Sequence, residues 1–215
     1  MRQNGFLDKV AENVLIMLNA NGQHIVSERS LNSPRAIGDA VQEFLGEKLI
    51  ECFPDKTLKN FESGFERRSM EDMAFYGTDG QYYAVDCKTH NLSTTFNMPN
   101  LISVRRLANF YKNDGNTFCI LIAEYEVIDH HIKYNACHFK PIEAFAWDCL
   151  TIGALGWGQI QIANANILKF NNSASRKEWM LQLCDNLDLF YDEELGKISE
   201  RKLWFEDIRN YWNKK

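Results

Sequence analysis

The sequence predicts an α/β protein in which a central mixed β-sheet is flanked by helices. Two short strands, 70–76 and 81–88, are joined across Asp79-Gly80, a pair that suits a tight hairpin turn. The segment 117–127 is almost entirely apolar, as expected for a strand in the middle of a sheet that is covered on both faces. Helical patterns precede and follow these strands, so helices are available to cover the sheet.

Two helices are predicted in the N-terminal region, residues 5–53. Residues 5–20 repeat apolar side chains at helical spacing. The pair Ser33-Pro34 is typical of a helix start, because proline fits the first turn of a helix. The helix that follows it carries one apolar face as far as Cys52, and this face is expected to pack on the sheet.

The second half of the chain alternates strands, loops and helices. Pro99 is expected to open a helix that ends at Gly115. The segment 151–158 is rich in glycine and apolar, which predicts a loop with exposed backbone amides. Ser175 and Glu178 form a capping box, which marks the start of a helix. The other predicted elements are a strand near 133–139, a short helix from Pro141, a strand over 159–167, an end of the capped helix near 194, and a last helix over about 199–213.

The composition is that of a globular protein with a core. The chain has 215 residues, of which 45% are hydrophobic and 25% charged, so it fits one domain. The net charge of −5 gives no support to nucleic-acid binding by the surface as a whole, so any such surface must be local. The six cysteines are scattered without a CxxC pair, which predicts reduced core residues in a cytoplasmic protein. No apolar run approaches the ~18–20 residues that cross a bilayer, and no membrane partner is expected.

The hairpin gathers three charged side chains. When its two arms pair across the turn, Asp72 on one arm can lie near Asp86 on the other. Asp86 and Lys88 differ by two positions, so they point to the same face of their strand. Two neighbouring carboxylates repel each other in a partly dry site unless a cation bridges them. A hard divalent ion such as Mg²⁺, bound through oxygen atoms, is the natural bridge.

These parts would suit the hydrolysis of a phosphodiester. Lys88 beside the ion can orient or deprotonate a water, or stabilise a developing negative oxygen. A metal-activated water can then attack the phosphorus in line. A purely structural interpretation stays open at this point: Asp86 and Lys88 can form an ion pair on an exposed strand, with Asp72 a solvated loop carboxylate. The chemistry of these residues alone does not decide between the two.

The order of the two acids and the lysine is the layout of the PD-(D/E)XK nuclease superfamily. The stretch "VDCKTHNLSTTFNMPNLISVRRLA" (85–108) closely resembles the type II restriction endonucleases of the EcoRV/HincII group, with D-x-K-T, an asparagine, and then Pro-Asn and Ile-Ser in register. In pieces the resemblance covers about 33–195, and it is strongest over 69–108. The other similar pieces are "AIGDAVQEFL" (36–45), "GQIQIA" (158–163) and "SRKEW" (175–179).

The resemblance implies a PD-(D/E)XK restriction-endonuclease-like fold and a role for each matching hairpin residue. Asp72 and Asp86 resemble the carboxylates that bind Mg²⁺, and the carbonyl of Cys87 resembles a third metal ligand. Lys88 resembles the catalytic lysine. The position before the first acid holds Glu71 instead of the nominal proline, which is a common variation in the superfamily.

Two DNA-contacting segments are also implied by the resemblance. One is the loop 94–100, which begins at Thr94. Asn97 stands at the position that wedges between bases, and Asn100 at one that hydrogen-bonds to them. The other is the segment 151–158, at the place of the group's major-groove recognition loop, where the residues expected to meet DNA are Gly153 and Ala154. This second segment differs from the group's loop, so the resemblance does not imply which DNA sequence is read.

The function implied is that of a Mg²⁺-dependent type II site-specific deoxyribonuclease. Such enzymes act as homodimers on short palindromes in double-stranded DNA, because two-fold protein symmetry matches the two-fold symmetry of the site. The group cuts at the centre and leaves blunt ends, and a restriction–modification system implies a cognate methyltransferase as a functional partner. The expected organisation is a single endonuclease domain, 1–215, with N-terminal helices over 5–53, a catalytic core over 69–140, and the recognition loop and C-terminal helices over 150–215.

Two other functions stay open. One is another nuclease of the same superfamily, such as a repair or junction nuclease, which binds DNA structure rather than sequence. The other is a DNA-binding module without catalysis, in which the triad is a structural ion-pair cluster. The residue of the second helix that joins the site is open as well: the candidates are Asp39, Gln42 and Glu43, and the best register puts Gln42 at the acidic position.

Further polar residues surround the hairpin. In a nuclease, Arg67, Arg68, Arg105 and Arg106 would supply the local phosphate contacts that the acidic total conceals. In the structural interpretation they are solvated. His90 follows Lys88 by two positions, and it is expected to be a polar residue at a strand end rather than a phosphate contact or a proton carrier.

Overall fold

The computed structural model describes residues 4–26, 30–54, 57–66, 69–171, 173 and 175–215. In these ranges the helices are α1 (Asn4–Ile25), α2 (Pro34–Lys48), α3 (Val104–Phe110) and α4 (Arg176–Asn213). The strands are β1 (Leu58–Ser63), β2 (Met73–Gly77), β3 (Tyr82–Asn91), β4 (Asn100–Ser103), β5 (Asn116–Ile128), β6 (His131–Pro141), β7 (Leu150–Gly153) and β8 (Gln159–Ile162). Short 3₁₀ helices lie at Leu49–Cys52, Ile142–Ala144 and Trp147–Cys149.

A five-stranded mixed sheet forms the centre of the fold, in the order β1-β2-β3-β5-β6. Strands β2 and β3 form the predicted antiparallel hairpin. Strand β3 runs parallel to β5, which in turn pairs antiparallel with β6. The apolar segment 117–127 lies within β5, between two other strands, and it is buried from Thr117 to Ala123. The predicted α/β class, with a mixed central sheet flanked by helices, is confirmed.

Each face of this sheet is covered by a different hydrophobic core. Side chains of β5 alternate between the two cores, as expected for a strand covered on both faces: Leu121 faces one core and Ile120 the other. The first core contains α1 and α2, and the second contains α3, the strands β4, β7 and β8, and the first turns of α4. Because Ala84 of β3 faces the second core, Asp86 and Lys88 point to the same side.

Strands β4, β8 and β7 form a separate three-stranded antiparallel sheet. Ile160 and Ile162 are fully buried on one of its faces. The strand alternates, so Gln159 and Gln161 lie on the opposite, outer face. This small sheet packs on the second core and presents a polar face on its other side.

Two predicted helix starts have the expected caps. The Ser33 hydroxyl accepts a hydrogen bond from the Ala36 N–H at 3.3 Å, and Pro34 is the first residue of α2. The Ser175 hydroxyl accepts from the Glu178 N–H at 3.2 Å, while the Glu178 carboxylate accepts from the Ser175 N–H at 2.9 Å. The capping box therefore satisfies donors at the start of α4 that would otherwise lack partners.

Four elements differ from the sequence-based expectations. Pro99 precedes strand β4 instead of opening a helix, because residues 100–103 pair with β8, and α3 begins only at Val104. The strand expected over 159–167 ends at Ile162, where pairing with β7 stops. The two C-terminal helices are one continuous helix, α4, since a single interior glycine costs a helix only about 1 kcal/mol. Strand β1 was not predicted, and its bulged pairing with β2 leaves no regular alternation to detect.

The buried part of helix α4 lies at its beginning. Its buried residues are Trp179 and Leu183. Beyond them, large apolar side chains are exposed, namely Leu189, Leu195, Ile198, Leu203, Trp204, Phe205, Tyr211 and Trp212. Even so, among the residues that the structure describes, no helix combines the length and the apolar character that a membrane crossing requires.

Candidate active site

The three charged residues of the hairpin lie together at the junction of β2 and β3. Asp72 immediately precedes β2, and its N–H donates to the Val85 carbonyl at 2.8 Å. The Cys87 N–H donates to Asp72 Oδ2, also at 2.8 Å. Met73 stands opposite Val85 in the register, so Asp72 comes to lie beside Asp86 of the facing strand. Backbone pairing therefore fixes the position of the first carboxylate relative to the second.

Helix α2 contributes one contact to this group. Gln42 Nε2 donates to Asp72 Oδ1 at 2.8 Å, so both oxygens of Asp72 accept hydrogen bonds. Asp39 instead lies beside Arg35 at 3.9 Å, with both side chains exposed. Of the three helix residues that the sequence offered, Gln42 is the one in hydrogen-bond contact with Asp72, and it contributes an amide rather than a third carboxylate.

A cleft of about 520 Å³ opens beside Asp72, and its lining is rich in acids. The acidic residues that line it together with Asp72 are Asp39, Glu43, Glu47, Glu66 and Glu71. Such a concentration of negative charge attracts cations and repels phosphates. Any phosphate that approaches from this side therefore needs a cation between itself and the cleft.

Asp86 and Lys88 form a short ion pair on one face of β3. Lys88 Nζ lies 2.6 Å from Asp86 Oδ1 and 3.4 Å from the Cys87 carbonyl oxygen. The Asp86 residue is only 7% exposed. Its second oxygen, Oδ2, is buried, and among the described residues it has no hydrogen-bond partner. Asp86 Oδ2 is therefore shielded from water, and no hydrogen bond from the described residues replaces those that water would make.

Burial and the neighbouring charges both shift the pKa values of this pair. Burial raises the pKa of the Asp86 carboxyl from 3.8 to about 7, although the Lys88 ammonium lowers that pKa in part and the Asp72 charge raises it further. Burial also lowers the pKa of Lys88, but the Asp86 and Asp72 charges and the hydrogen bond to Asp86 outweigh burial, so the Lys88 pKa lies above its ordinary 10.5. Lys88 is consequently a full cation at neutral pH.

The oxygen atoms at this point fit a hard divalent cation. Two carboxylates and the carbonyl of Cys87 lie close together, and no donor from the described ranges reaches the buried Asp86 Oδ2. Leaving such an oxygen unpaired is costly, and a cation would satisfy it. Within the described ranges, no cluster of three or more His, Cys, Asp or Glu side chains could hold a metal. Mg²⁺ suits this sparse set, because it binds through one or two carboxylates and keeps several waters.

The loop 94–100 leads from β3 to the small sheet. The Thr94 carbonyl accepts a hydrogen bond from Asn166 Nδ2 at 2.9 Å, and the Asn97 carbonyl accepts from the Ala165 N–H at 2.8 Å. Asn100 is exposed at the start of β4, where its Oδ1 accepts from Gln161 Nε2 at 2.6 Å. These contacts tie the loop to the segment after β8.

The composition of residues 151–158 predicts a continuous loop, but the structure differs. Residues 151–153 belong to strand β7, and the exposed bend begins only after them. Gly153 is the last residue of β7, and Ala154 is exposed in the bend that follows. Trp157 is 61% exposed, which excludes a core role, and the Arg105 guanidinium lies 5.0 Å from its ring centre. Gly158 has a φ of +102°, a conformation that favours glycine. The strand therefore turns sharply here and leaves a short exposed tip.

His90 lies near the end of β3, as the sequence predicts, but its burial was not predicted. It is 1% exposed, so it is not available to a phosphate. Its Nε2 lies 2.9 Å from Asn166 Oδ1, and its Nδ1 lies 3.4 Å from Asn97 Nδ2. The Asn166 oxygen can accept from Nε2, and the Asn97 amide can donate to Nδ1. The alternation of β3 places His90 on the same face as Lys88, and this was the available signal.

The basic residues around the hairpin have mixed placements. Arg105 and Arg106 are exposed on α3, and Arg106 Nη1 donates to the Ser69 carbonyl at 3.4 Å. The remaining pair, Arg67 and Arg68, lies outside the described residues. The two described arginines of this set are therefore exposed on α3, and Arg105 lies beside Trp157.

Comparison with known proteins assigns no family to the chain. No family model matches its sequence, and no curated protein matches it. The likeness to the EcoRV/HincII group therefore rests on the quoted motifs, and its functional consequences are taken up below as a proposal.

Proposed function

We propose that this protein is a Mg²⁺-dependent, site-specific endonuclease that hydrolyses phosphodiester bonds in double-stranded DNA, with the PD-(D/E)XK fold and the order of motifs of the EcoRV/HincII group. One observation carries the proposal. Asp72, Asp86 and Lys88 meet on the two arms of one hairpin, and Asp86 Oδ2 is buried without a donor in the described part of the chain. A structural ion pair would have no need of the second carboxylate or of the unpaired oxygen.

In this proposal, the hairpin residues have separate roles in binding the metal and in stabilising the reacting phosphate. Asp72, Asp86 and the Cys87 carbonyl would hold Mg²⁺, while the Gln42 amide and the Cys87 N–H keep Asp72 in place. When bound, the ion supplies positive charge to the phosphate oxygens and lowers the pKa of a water. Lys88, held by Asp86, places its ammonium where negative charge develops on the scissile phosphate and hydrogen-bonds the attacking water.

DNA would lie against the second core's side of the central sheet. On that side the loop 94–100, with Thr94, Asn97 and Asn100, leads into β4, and the tip that carries Gly153 and Ala154 joins β7 to β8. Arg105 on α3 is close enough to the tip to bind a neighbouring phosphate. Base contacts and phosphate contacts would thus come from adjacent but different elements.

The proposal includes a homodimer that acts on a short palindrome and leaves blunt ends. Each chain holds one candidate site, and two copies related by two-fold symmetry cut both strands of a symmetric sequence. Sedimentation with and without a palindromic duplex measures the assembly. Concerted double-strand cleavage by a species that stays monomeric on DNA would contradict this part.

The setting proposed for the enzyme is the cytoplasm, with a methyltransferase that protects the same sequence. All six cysteines are free thiols, a state that a reducing compartment maintains. Expression of the active protein in a host without the methyltransferase is expected to be toxic. Expression of the Lys88→Ala variant in the same host is expected to be tolerated. Equal tolerance of both would argue against the need for protection.

The deciding experiment is incubation of the protein with plasmid or phage DNA, with and without Mg²⁺, beside Asp86→Ala and Lys88→Ala. Discrete fragments that require Mg²⁺ and disappear with both variants are expected. Lys133→Ala is the matched control, since Lys133 is an exposed lysine of the distant β6 that pairs with Glu126. It should cut like the unaltered protein.

Other patterns would identify the alternatives. A smear, or cleavage directed to branched DNA, would indicate a repair or junction nuclease of the same superfamily. Intact DNA in every lane, at protein concentrations that still retard the DNA in a gel, would indicate a binding module without catalysis. In that case Lys88→Ala should leave binding unchanged, and divalent ions should be dispensable.

A further inference from the structure

The outer face of the small sheet lacks charge. Its six positions come from three paired strands, with an irregularity between Asn100 and Ile102 of β4, and they are Asn100, Ser103, Thr151, Gly153, Gln159 and Gln161. A quarter of all residues in the chain are charged, and a solvent-facing sheet surface ordinarily carries many of them. This face offers only amides, hydroxyls and a glycine. Such groups can hydrogen-bond to a ligand without a net electrostatic attraction to it.

Gln161 is the centre of this face. Its Nε2 donates to Asn100 Oδ1 at 2.6 Å, across the pairing of β8 with β4. On the other side, a side-chain carbon added at Gly153 would stand 2.5 Å from Gln161 Oε1. The amide therefore lies against Gly153, and a side chain at that position would have to displace it. Gln161 touches both the residue that ends the loop 94–100 and the residue that begins the exposed tip.

We propose that this face reads base edges in a DNA groove and that Gln161 is a specificity-determining residue; the inference rests on the endonuclease function proposed above. Uncharged donors and acceptors carry sequence information, whereas lysine and arginine mainly hold phosphates. The major groove admits a β-ribbon, and a glutamine amide matches the N6 and N7 atoms of adenine. Gln161 thus selects an A·T pair, with Asn100 keeping its amide in the reading orientation.

The neighbouring contacts support this placement. The Arg105 guanidinium lies over the exposed Trp157 ring, at the edge of the same sheet where β7 turns into β8. Arginine at that edge can hold a phosphate while the uncharged face meets the bases. The division between base-reading and phosphate-binding groups found in DNA complexes is therefore present within one small sheet and its border.

The test is cleavage of a duplex library with a randomised segment, in the presence of Mg²⁺, followed by sequencing of the cut ends. The unaltered protein is compared with Gln161→Ala, Gln161→Glu and Gly153→Ala. Gln23→Ala is the matched control, because Gln23 is an exposed glutamine of α1, on the opposite face of the central sheet. Circular dichroism of every variant establishes that it is folded.

A selective change at one position is expected. Gln161→Ala should lose about 10- to 100-fold of discrimination at one base pair and its symmetry mate, while other positions of the site keep theirs. Gly153→Ala should act at the same position, since its methyl group displaces the end of the Gln161 side chain. Gln161→Glu should turn the preference from A·T towards C·G, because a carboxylate accepts from cytosine N4. Gln23→Ala should leave the profile unchanged.

The outcomes that overturn the inference differ from those that overturn the function. If the unaltered protein cuts a defined sequence and the folded Gly153→Ala and Gln161 variants cut it with the same profile, the face does not read bases. A uniform fall in rate without a change in profile would also overturn it, because that is a structural effect. If the unaltered protein yields no cuts or random ends, the proposed site-specific endonuclease fails, and the inference fails with it.

Discussion

Two buried acids, Glu143 and Asp86, each lie beside a cation, but their surroundings differ. Glu143 is 3% exposed; its Oε1 accepts from Arg176 Nε at 3.1 Å and its Oε2 from the Tyr111 hydroxyl at 2.6 Å. Asp86 is 7% exposed, and its Oδ1 accepts from Lys88 at 2.6 Å. Its Oδ2 has no partner among the described residues. One carboxylate is satisfied at both oxygens, and the other is not.

The satisfied acid belongs to a closed network that joins the start of α4 to the central sheet. Arg176 also donates from Nη2 to Thr117 Oγ1 at 3.1 Å and from Nη1 to the Asp114 carbonyl at 3.3 Å. Its guanidinium lies 4.1 Å from the centre of the Tyr111 ring. A network in which every member has partners fixes a structure. Asp86, by contrast, has one oxygen that a further cation could satisfy. This difference distinguishes the structural ion pair at Glu143 from the candidate catalytic pair at Asp86.

The largest expected difference between the two acids is in DNA cleavage. Asp86→Asn keeps the shape of the side chain but removes the charge that is proposed to bind the metal. Single-turnover cleavage should fall by about 10³- to 10⁴-fold, or roughly 4–5.5 kcal/mol of activation free energy. Glu143→Gln, which is matched in chemistry, should leave the rate per folded molecule within a few-fold. Cleavage by Asp86→Asn at the unaltered rate would remove Asp86 from the metal site.

The next largest difference is in stability. Glu143→Ala leaves the Arg176 guanidinium buried without its carboxylate, and breaking a buried pair in this way costs about 3–5 kcal/mol of unfolding free energy. Urea denaturation measures this change. Asp148→Ala removes an acid from an exposed pair with Lys169 and should change stability little. If the two variants lose the same unfolding free energy, the buried network around Glu143 stabilises the fold no more than an exposed ion pair does.

A smaller effect is expected in the pH dependence of stability without metal. The folded-state pKa of Asp86 is about 7, against an ordinary 3.8, so between these pH values the folded chain holds a proton that the unfolded chain has lost. The contribution of Asp86 to stability is therefore greatest below the ordinary pKa and falls as pH rises to about 7, by on the order of a few kcal/mol. Asp86→Asn should flatten this slope in urea titrations from pH 5 to pH 8. A slope that is the same in both proteins would contradict the shift.

The smallest expected effect is stabilisation by the ion itself. At ten times its dissociation constant, a ligand that binds only the folded state adds about 1.4 kcal/mol to the unfolding free energy. Mg²⁺ should therefore raise the melting temperature of the unaltered protein at pH 8 by a few degrees. Asp86→Asn and Asp72→Asn should show no such rise. Glu143→Gln, which keeps the metal ligands, should show the full increase.

Local sequence patterns predicted the parts of the fold that depend on short-range signals. The hairpin followed from Asp79-Gly80, the interior strand β5 from its apolar run, and the helix starts from Ser33 and Ser175. The sequence predicts a helix from Pro99, but residues 100–103 form strand β4 because they pair with β8. Pairings between distant segments have no local signature.

The same limit applies to the candidate site. The alternation of β3 indicated that Asp86 and Lys88 share a face, and the hairpin indicated that Asp72 is near them. The sequence did not indicate that Asp86 Oδ2 lacks a partner, since that depends on packing from elements far apart in the chain. It also did not indicate the burial of His90, whose partners come from two separate segments.

The separation of the two sheets has a consequence for the evolution of this molecule. Asp72, Asp86 and Lys88 belong to the five-stranded sheet, whereas the uncharged face lies on a different sheet that shares no strand with it. Exchanges at the outward positions other than Gly153 leave the buried isoleucines of the small sheet in place. Under the proposed function, recognition can therefore diversify between lineages while the proposed cleavage site is inherited unchanged. The five outward positions besides Gly153 are then the place to randomise in a laboratory search for new target sequences.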